Sequence, residues 1–133
     1  MSGRIRIHGD GGSRGNPGPA AGAAVLLDAD GKVIEKRAEY MGVATNNQAE
    51  YLAVELGLQA MHDLKLNAAD FYLDSQLVVR QLNGQYKVKH PEMRAAYERI
   101  QKLKEGFDVT FTHVMRADNT IADDAVNECL DAQ

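Results

Sequence analysis

Three strand-like runs in succession, followed by an abrupt change of hydrophobic period at residue 45, leave this chain few architectures. Arg4, Ile5, Arg6, Ile7 and His8 alternate polar with apolar side chains, the two-residue period of a strand whose faces see different surroundings. Residues 20–28 (AAGAAVLLD) are apolar almost throughout, which suits a strand covered on both faces. Asp30-Gly31 is the dipeptide of a tight hairpin, and Lys32 to Tyr40 returns as a third strand.

The period then lengthens. Thr45 and Gln48 have the spacing of a capping box, and Ala49, Leu52, Ala53, Leu56, Ala60 and Leu64 place an apolar stripe on a helix over about 46–64. Residues 69–73 (ADFYL) read as a strand, followed by a helix from Ser75 to about Leu82. Pro91 opens another helix to about Lys104, Asp108 to Val114 alternates as the last strand, and Asn119 starts a final helix with Ala122, Val126, Cys129 and Leu130 inward. The order is β-β-β-α-β-α-α-β-α. Hairpins make the first three strands antiparallel, and helical crossovers make the later ones parallel. The predicted class is therefore α/β, or α+β with a mixed sheet: five strands flanked by helices in one domain spanning residues 1–133.

Composition narrows the function. No apolar run approaches the roughly 18 residues of a membrane span, and the first residues lack the apolar stretch of a signal peptide, so a soluble cytoplasmic protein is expected. Cys129 is the one cysteine and reads as a packed helix position. The four histidines lack zinc-ligand spacing. A net charge of -4 argues against bulk electrostatic grip on nucleic acid. The charge is uneven, however: between Arg80 and Lys104 seven basic residues face two acidic ones, a strip able to contact phosphates.

The acidic residues fall in a pattern. Asp10 ends the first predicted strand inside HGDGGSRGNPG, and Asp74 ends the fourth, so both stand at the carboxyl edge where open α/β sheets bind ligands. Glu50 lies in the first turn of its helix, able to point across the sheet end. On the last helix Asp123 borders the apolar row, whereas Asp124, Glu128 and Asp131 share a solvent-facing one. Singly, each carboxylate is explained as a turn former, helix cap or first-turn charge. Four on one edge repel unless a cation joins them, and hard oxygen ligands suit Mg²⁺ or Mn²⁺. The glycine-rich segment fits neither a P-loop nor a dinucleotide fingerprint, leaving a loop whose N–H groups can approach an anionic chain.

DGGSRGNPG (10–18), TNNQAE (45–50), DSQ (74–76) and NTIAD (119–123), in this order over nearly the whole chain, resemble type 1 ribonuclease H. The resemblance implies the ribonuclease H fold with strand order 3-2-1-4-5. It makes Asp10, Glu50, Asp74 and Asp123 the catalytic carboxylates and the ligands of two Mg²⁺ ions, with Mn²⁺ as the alternative. The implied reaction is endonucleolytic hydrolysis of the RNA strand of an RNA/DNA hybrid, by a monomer, leaving 3'-hydroxyl and 5'-phosphate ends. Ribose contacts are expected from Gly11, Gly12, Ser13, Glu50 and Gln76, with Asn47 beside them, and DNA phosphate contacts from Asn16, Thr45 and Asn46. Two departures stand out. The basic, Trp-rich protrusion of many members is replaced by NGQYKVKHPEM (83–93) and a short helix, where Lys87, Lys89 and Arg94 are expected to substitute in part. Arg116, seven residues before Asp123, stands where those members carry a loop histidine, as in a shorter archaeal and bacterial branch; His113 reads as part of a strand. A recombinase or transposase core, a non-catalytic hybrid-binding module and a domain of a longer chain are the alternatives.

Overall fold

A computed structural model describes residues 4–133. Five strands form one mixed sheet in the order β3-β2-β1-β4-β5: β1 (Ile5–Ser13), β2 (Gly18–Leu27), β3 (Val33–Ala44), β4 (Ala68–Leu73) and β5 (Asp108–His113). The helices are α1 (Asn46–Asp63), α2 (Gln76–Leu82), α3 (Pro91–Leu103) and α4 (Thr120–Asp131), with a single 3₁₀ turn at Arg116–Asp118. β1 pairs antiparallel with β2 and parallel with β4, which pairs parallel with β5. Class, strand order and helix sequence are those expected, and no helix among the described residues is long and apolar enough to cross a membrane.

The continuous apolar character of β2 has its cause in two layers of helix. Ala24 and Leu26 join Ile5, Ile7, Phe71 and Leu73 in a core under α1, while Ala21, Ala23, Val25 and Leu27 pack against Ala125, Val126 and Leu130 of α4. The hairpin falls where Asp30-Gly31 places it: Gly31 adopts φ 84°, and Asp28 accepts from the N–H groups of Asp30, Gly31 and Lys32.

Two elements differ from expectation. The predicted loop after Asp10 is strand: β1 continues to Ser13, because its antiparallel ladder with β2 runs on from Asp10↔Ala23 to Ser13↔Ala20 after the parallel ladder with β4 has stopped at Gly9↔Leu73. Asp10 thus leaves the parallel ladder without ending the strand. Similarly, β3 extends to Ala44 rather than Tyr40, paired with β2 down to Gly18. In α1 the expected stripe is only part of the buried surface. The helix lies between the sheet and α3, so Tyr51, Val54, Leu58 and Met61 are buried as well, while Leu64 caps the helix and is exposed.

Candidate active site

β1 sets the site through its alternation. Its odd residues face α1: a Cβ on Gly11 would fall 2.1 Å from the Ala49 carbonyl carbon, so only glycine lets the first turn of α1 approach this closely. Its even residues face α4, with Gly12 against Val126 and His8 hydrogen-bonded to Asn119 (2.8 Å). Asp10 is therefore held between the α1 N-terminus, which carries Glu50, and α4, which carries Asp123. Asp74, the first residue past β4, emerges where the β1–β4 ladder ends.

Asp10, Glu50 and Asp74 offer one carboxylate oxygen each within 4.8 Å of one another. Asp123 lines the same groove and adds its charge to that of Asp10; the Asn127 side chain donates to it at 3.4 Å. The N–H of Gly11 donates to both Asp10 Oδ1 (2.9 Å) and Glu50 Oε1 (2.8 Å). Glu50 Oε2 is buried with no partner. Burial pushes the Asp10 carboxyl up to about 7, the charges of Asp74 and Asp123 add to the push, and a hydrogen bond from Glu50 opposes it. Burial, then the hydrogen bond with Asp10 and its charge, drives Glu50 well above the usual carboxylate range. An all-oxygen donor set, an orphaned buried oxygen and carboxyls strained toward their neutral form fit a hard divalent cation.

A groove of about 520 Å³ surrounds this cluster. Gly11, Gly12, Ser13, Asn46, Asn47 and Arg116 line it together with the four carboxylates, and so does Arg14. The N–H groups of Gly11 and Ser13 are already engaged, the latter by Asn46 Oδ1 at 2.9 Å, which corrects the reading of this segment as an open loop of free donors. Asn16 and Thr45 stand behind the groove: Asn16 Oδ1 accepts from the Asn46 N–H at 3.1 Å, and Thr45 caps α1 in the expected capping box. Gln76 is exposed at the start of α2. Lys87 and Lys89 line a separate groove with Tyr86, Val88, Arg94 and Tyr97, in the connection between α2 and α3. Sequence reasoning missed two contributors. Asn119 is fully buried and donates to the Gly9 carbonyl at 2.9 Å, fastening the start of α4 to β1 beside Asp10. Arg14 reaches across to Asp131 of α4. A helix-start asparagine and a loop arginine carry no signal of such reach in one sequence.

Fold and groove together define an α/β protein with a convergent carboxylate site at the carboxyl edge of its parallel strands. A family model described as reverse transcriptase-like matches residues 8–129. A ribonuclease HI of Halobacterium salinarum is 44% identical over 130 residues, covering 97% of this chain and 65% of that protein. A bifunctional protein of Mycobacterium tuberculosis is 42% identical over 131 residues, covering 97% of this chain and 36% of that protein. The crystal structure of LC11-RNase H1 in complex with RNA/DNA hybrid matches with a TM-score of 0.92 at 37% identity, covering 97% of this chain and 98% of that chain. The chain belongs to the type 1 ribonuclease H family. It spans less than two thirds of the length of the two curated relatives named.

Proposed function

We propose that this chain is a ribonuclease H domain that hydrolyses the RNA strand of RNA/DNA hybrids, leaving 5'-phosphate and 3'-hydroxyl ends. The observation that carries the reading is the convergence of Asp10, Glu50 and Asp74 within 4.8 Å around an unpartnered buried oxygen, with Asp123 in the same groove.

Asp10, Glu50, Asp74 and Asp123 would hold two Mg²⁺ ions, or Mn²⁺ in their place. Bound there, such ions supply activation of the attacking water and stabilisation of the leaving oxygen in an in-line phosphodiester displacement. The chain's own groups prepare that chemistry. The Gly11 N–H fixes one oxygen each of Asp10 and Glu50, which leaves their other oxygens for ligation. Asn119 holds α4 against β1, so that Asp123 faces Asp10. Arg116, exposed in the 3₁₀ turn and lining the groove, presents a planar fork to a phosphate oxygen. Ser13, Asn46 and Asn47 give the groove polar walls suited to sugar hydroxyls, the groups that distinguish RNA from DNA. Lys87 and Lys89 supply phosphate contacts on the DNA strand from the separate groove between α2 and α3.

The test is incubation of end-labelled RNA/DNA hybrid, double-stranded DNA and double-stranded RNA with the protein, in Mg²⁺ and in chelator. Cleavage confined to the RNA of the hybrid, dependent on the cation and producing 5'-phosphates, is expected. Cleavage of the duplex DNA, or cleavage surviving chelation, would refute it.

A further inference from the structure

We propose that Arg14 is a phosphate-binding residue of the substrate groove, exchanging its contact with Asp131 for a phosphodiester of the cleaved strand that flanks the cleavage point. The proposal rests on the hybrid-cleavage reading above and extends it to a position that the four motif carboxylates do not reach.

The backbone around Arg14 is fixed, while its side chain is held by one exposed ion pair. Its N–H donates to the Pro19 carbonyl at 2.8 Å, and Gly18 passes so close that a Cβ there would lie 2.3 Å from the Arg14 carbonyl oxygen. On either side, Ser13 and Asn16 are hydrogen-bonded to Asn46 at the start of α1. The guanidinium then extends to α4, where Nη2 meets Asp131 Oδ1 at 2.6 Å, with the two side chains 48% and 68% exposed. At that exposure an ion pair is heavily screened and holds its partners weakly. A guanidinium has five N–H donors, and one bond to Asp131 leaves the planar fork able to take a phosphate in two-point contact.

The groove makes such a contact necessary. Its lining presents four carboxylates and, as cationic side chains, Arg14 and Arg116. Cations held by the carboxylates act at the reacting phosphate only, so the phosphates that flank it depend for their counter-charge on the cationic side chains of the lining. Arg14 and Arg116 serve different phosphates. Arg116 precedes α4, whereas Arg14 is bonded to its last residue, and those ends lie about 16 Å apart at the helical rise per residue. In the free protein Asp131 keeps the Arg14 side chain along the α4 wall of the groove; in the complex the phosphate replaces it.

The experiment measures hybrid cleavage in Mg²⁺ over a series of KCl concentrations for the parent, Arg14→Ala, Arg14→Lys and Asp131→Asn, with Tm alongside. Arg14→Ala is expected to raise KM about five- to tenfold at low salt, with kcat within about twofold. It should also reduce the dependence of log KM on log salt by about one phosphate equivalent. Arg14→Lys should recover the salt slope and part of the KM. Asp131→Asn breaks the same ion pair but keeps the cation, so it should change Tm as Arg14→Ala does while retaining the parent's salt slope. An unchanged KM and slope in Arg14→Ala overturns the proposal, and so does an Asp131→Asn variant that reproduces the Arg14→Ala kinetics, since the arginine would then serve only to fasten α4. A parent protein that fails to cleave hybrid overturns the underlying reading instead.

Discussion

Replacing Asp10 by Asn should make the metal-free protein more stable at alkaline pH and barely change it at acidic pH. The Asp10 carboxyl is raised from 3.8 to about 7, with burial as the leading cause and the charges of Asp74 and Asp123 behind it. In the unfolded chain the same group ionises near 4, so between about pH 4 and 7 the folded state binds more protons and stability falls as pH rises. Below pH 4 the contribution is fully present; above 7 it is lost. That rise corresponds to at most about 4 kcal/mol, because Glu50, hydrogen-bonded to Asp10, carries part of the same strain. Asparagine keeps the oxygen that accepts from the Gly11 N–H and carries no charge at any pH. The expected gain in chelator at pH 9 is about 2 to 4 kcal/mol, roughly 8 to 15 °C in Tm, whereas below pH 4 the two proteins should agree within about 0.5 kcal/mol. Millimolar Mg²⁺ should narrow the difference, because the cation binds the parent better than the variant. Thermal unfolding followed by circular dichroism across pH, with and without Mg²⁺, measures all three. Parallel pH–stability curves for parent and variant, or a variant less stable at pH 9, would refute the idea that charge strain resides in this cluster.

Arg116→Ala should lower kcat roughly 10 to 100 fold, as expected for a lost charged hydrogen bond of about 1.5 to 3 kcal/mol, with cation binding intact. Arg116→His should restore part of the rate and introduce a titration near neutral pH, visible in the pH–rate profile. Changing Lys87 and Lys89 together to Ala should raise KM and reduce its salt dependence by roughly one to two phosphate equivalents with kcat little altered; an unchanged slope would place the DNA-strand contacts elsewhere. Gly11→Ala forces a methyl to within 2.1 Å of the α1 backbone, so the helix must shift and carry Glu50 with it. The expected cost is about 3 kcal/mol or more, read as a Tm lower by roughly 12 °C, together with loss of cleavage.

How far the sequence discloses this molecule depends on how local the determining interaction is. The hairpin at Asp30-Gly31 and the capping box of Thr45 and Gln48 are decided within five residues, and both stand where the sequence places them. The two-sided burial of β2 is nearly as legible, because apolar residues at every position leave no solvent face to assign. The start of β1 is equally plain, but its end is not. Gly9 to Ser13 lacks the strand alternation because Gly11 answers to α1, whose Glu50 lies 39 residues away along the chain, while Gly12 faces Val126 of α4. Close helix approach demands glycine just as a turn does, and one sequence does not separate the two causes. For the same reason the free N–H groups expected there are engaged: Glu50 and Asn46, brought by that helix, accept from them. The convergence of the carboxylates was readable because Glu50 and Asp123 lie in the first turns of helices, Asp74 follows β4 and Asp10 stands where the parallel ladder stops, so topology carries them to one sheet edge. Arg14 and Asn119 were not, since their work is done on partners 117 and 110 residues distant, across a joint that exists only once α4 has docked on β1. Those two joints close the α4 wall of the groove. Losing the buried Asn119 should therefore lower stability, whereas opening the exposed Arg14–Asp131 joint by Asp131→Asn should leave the salt dependence of substrate binding as in the parent.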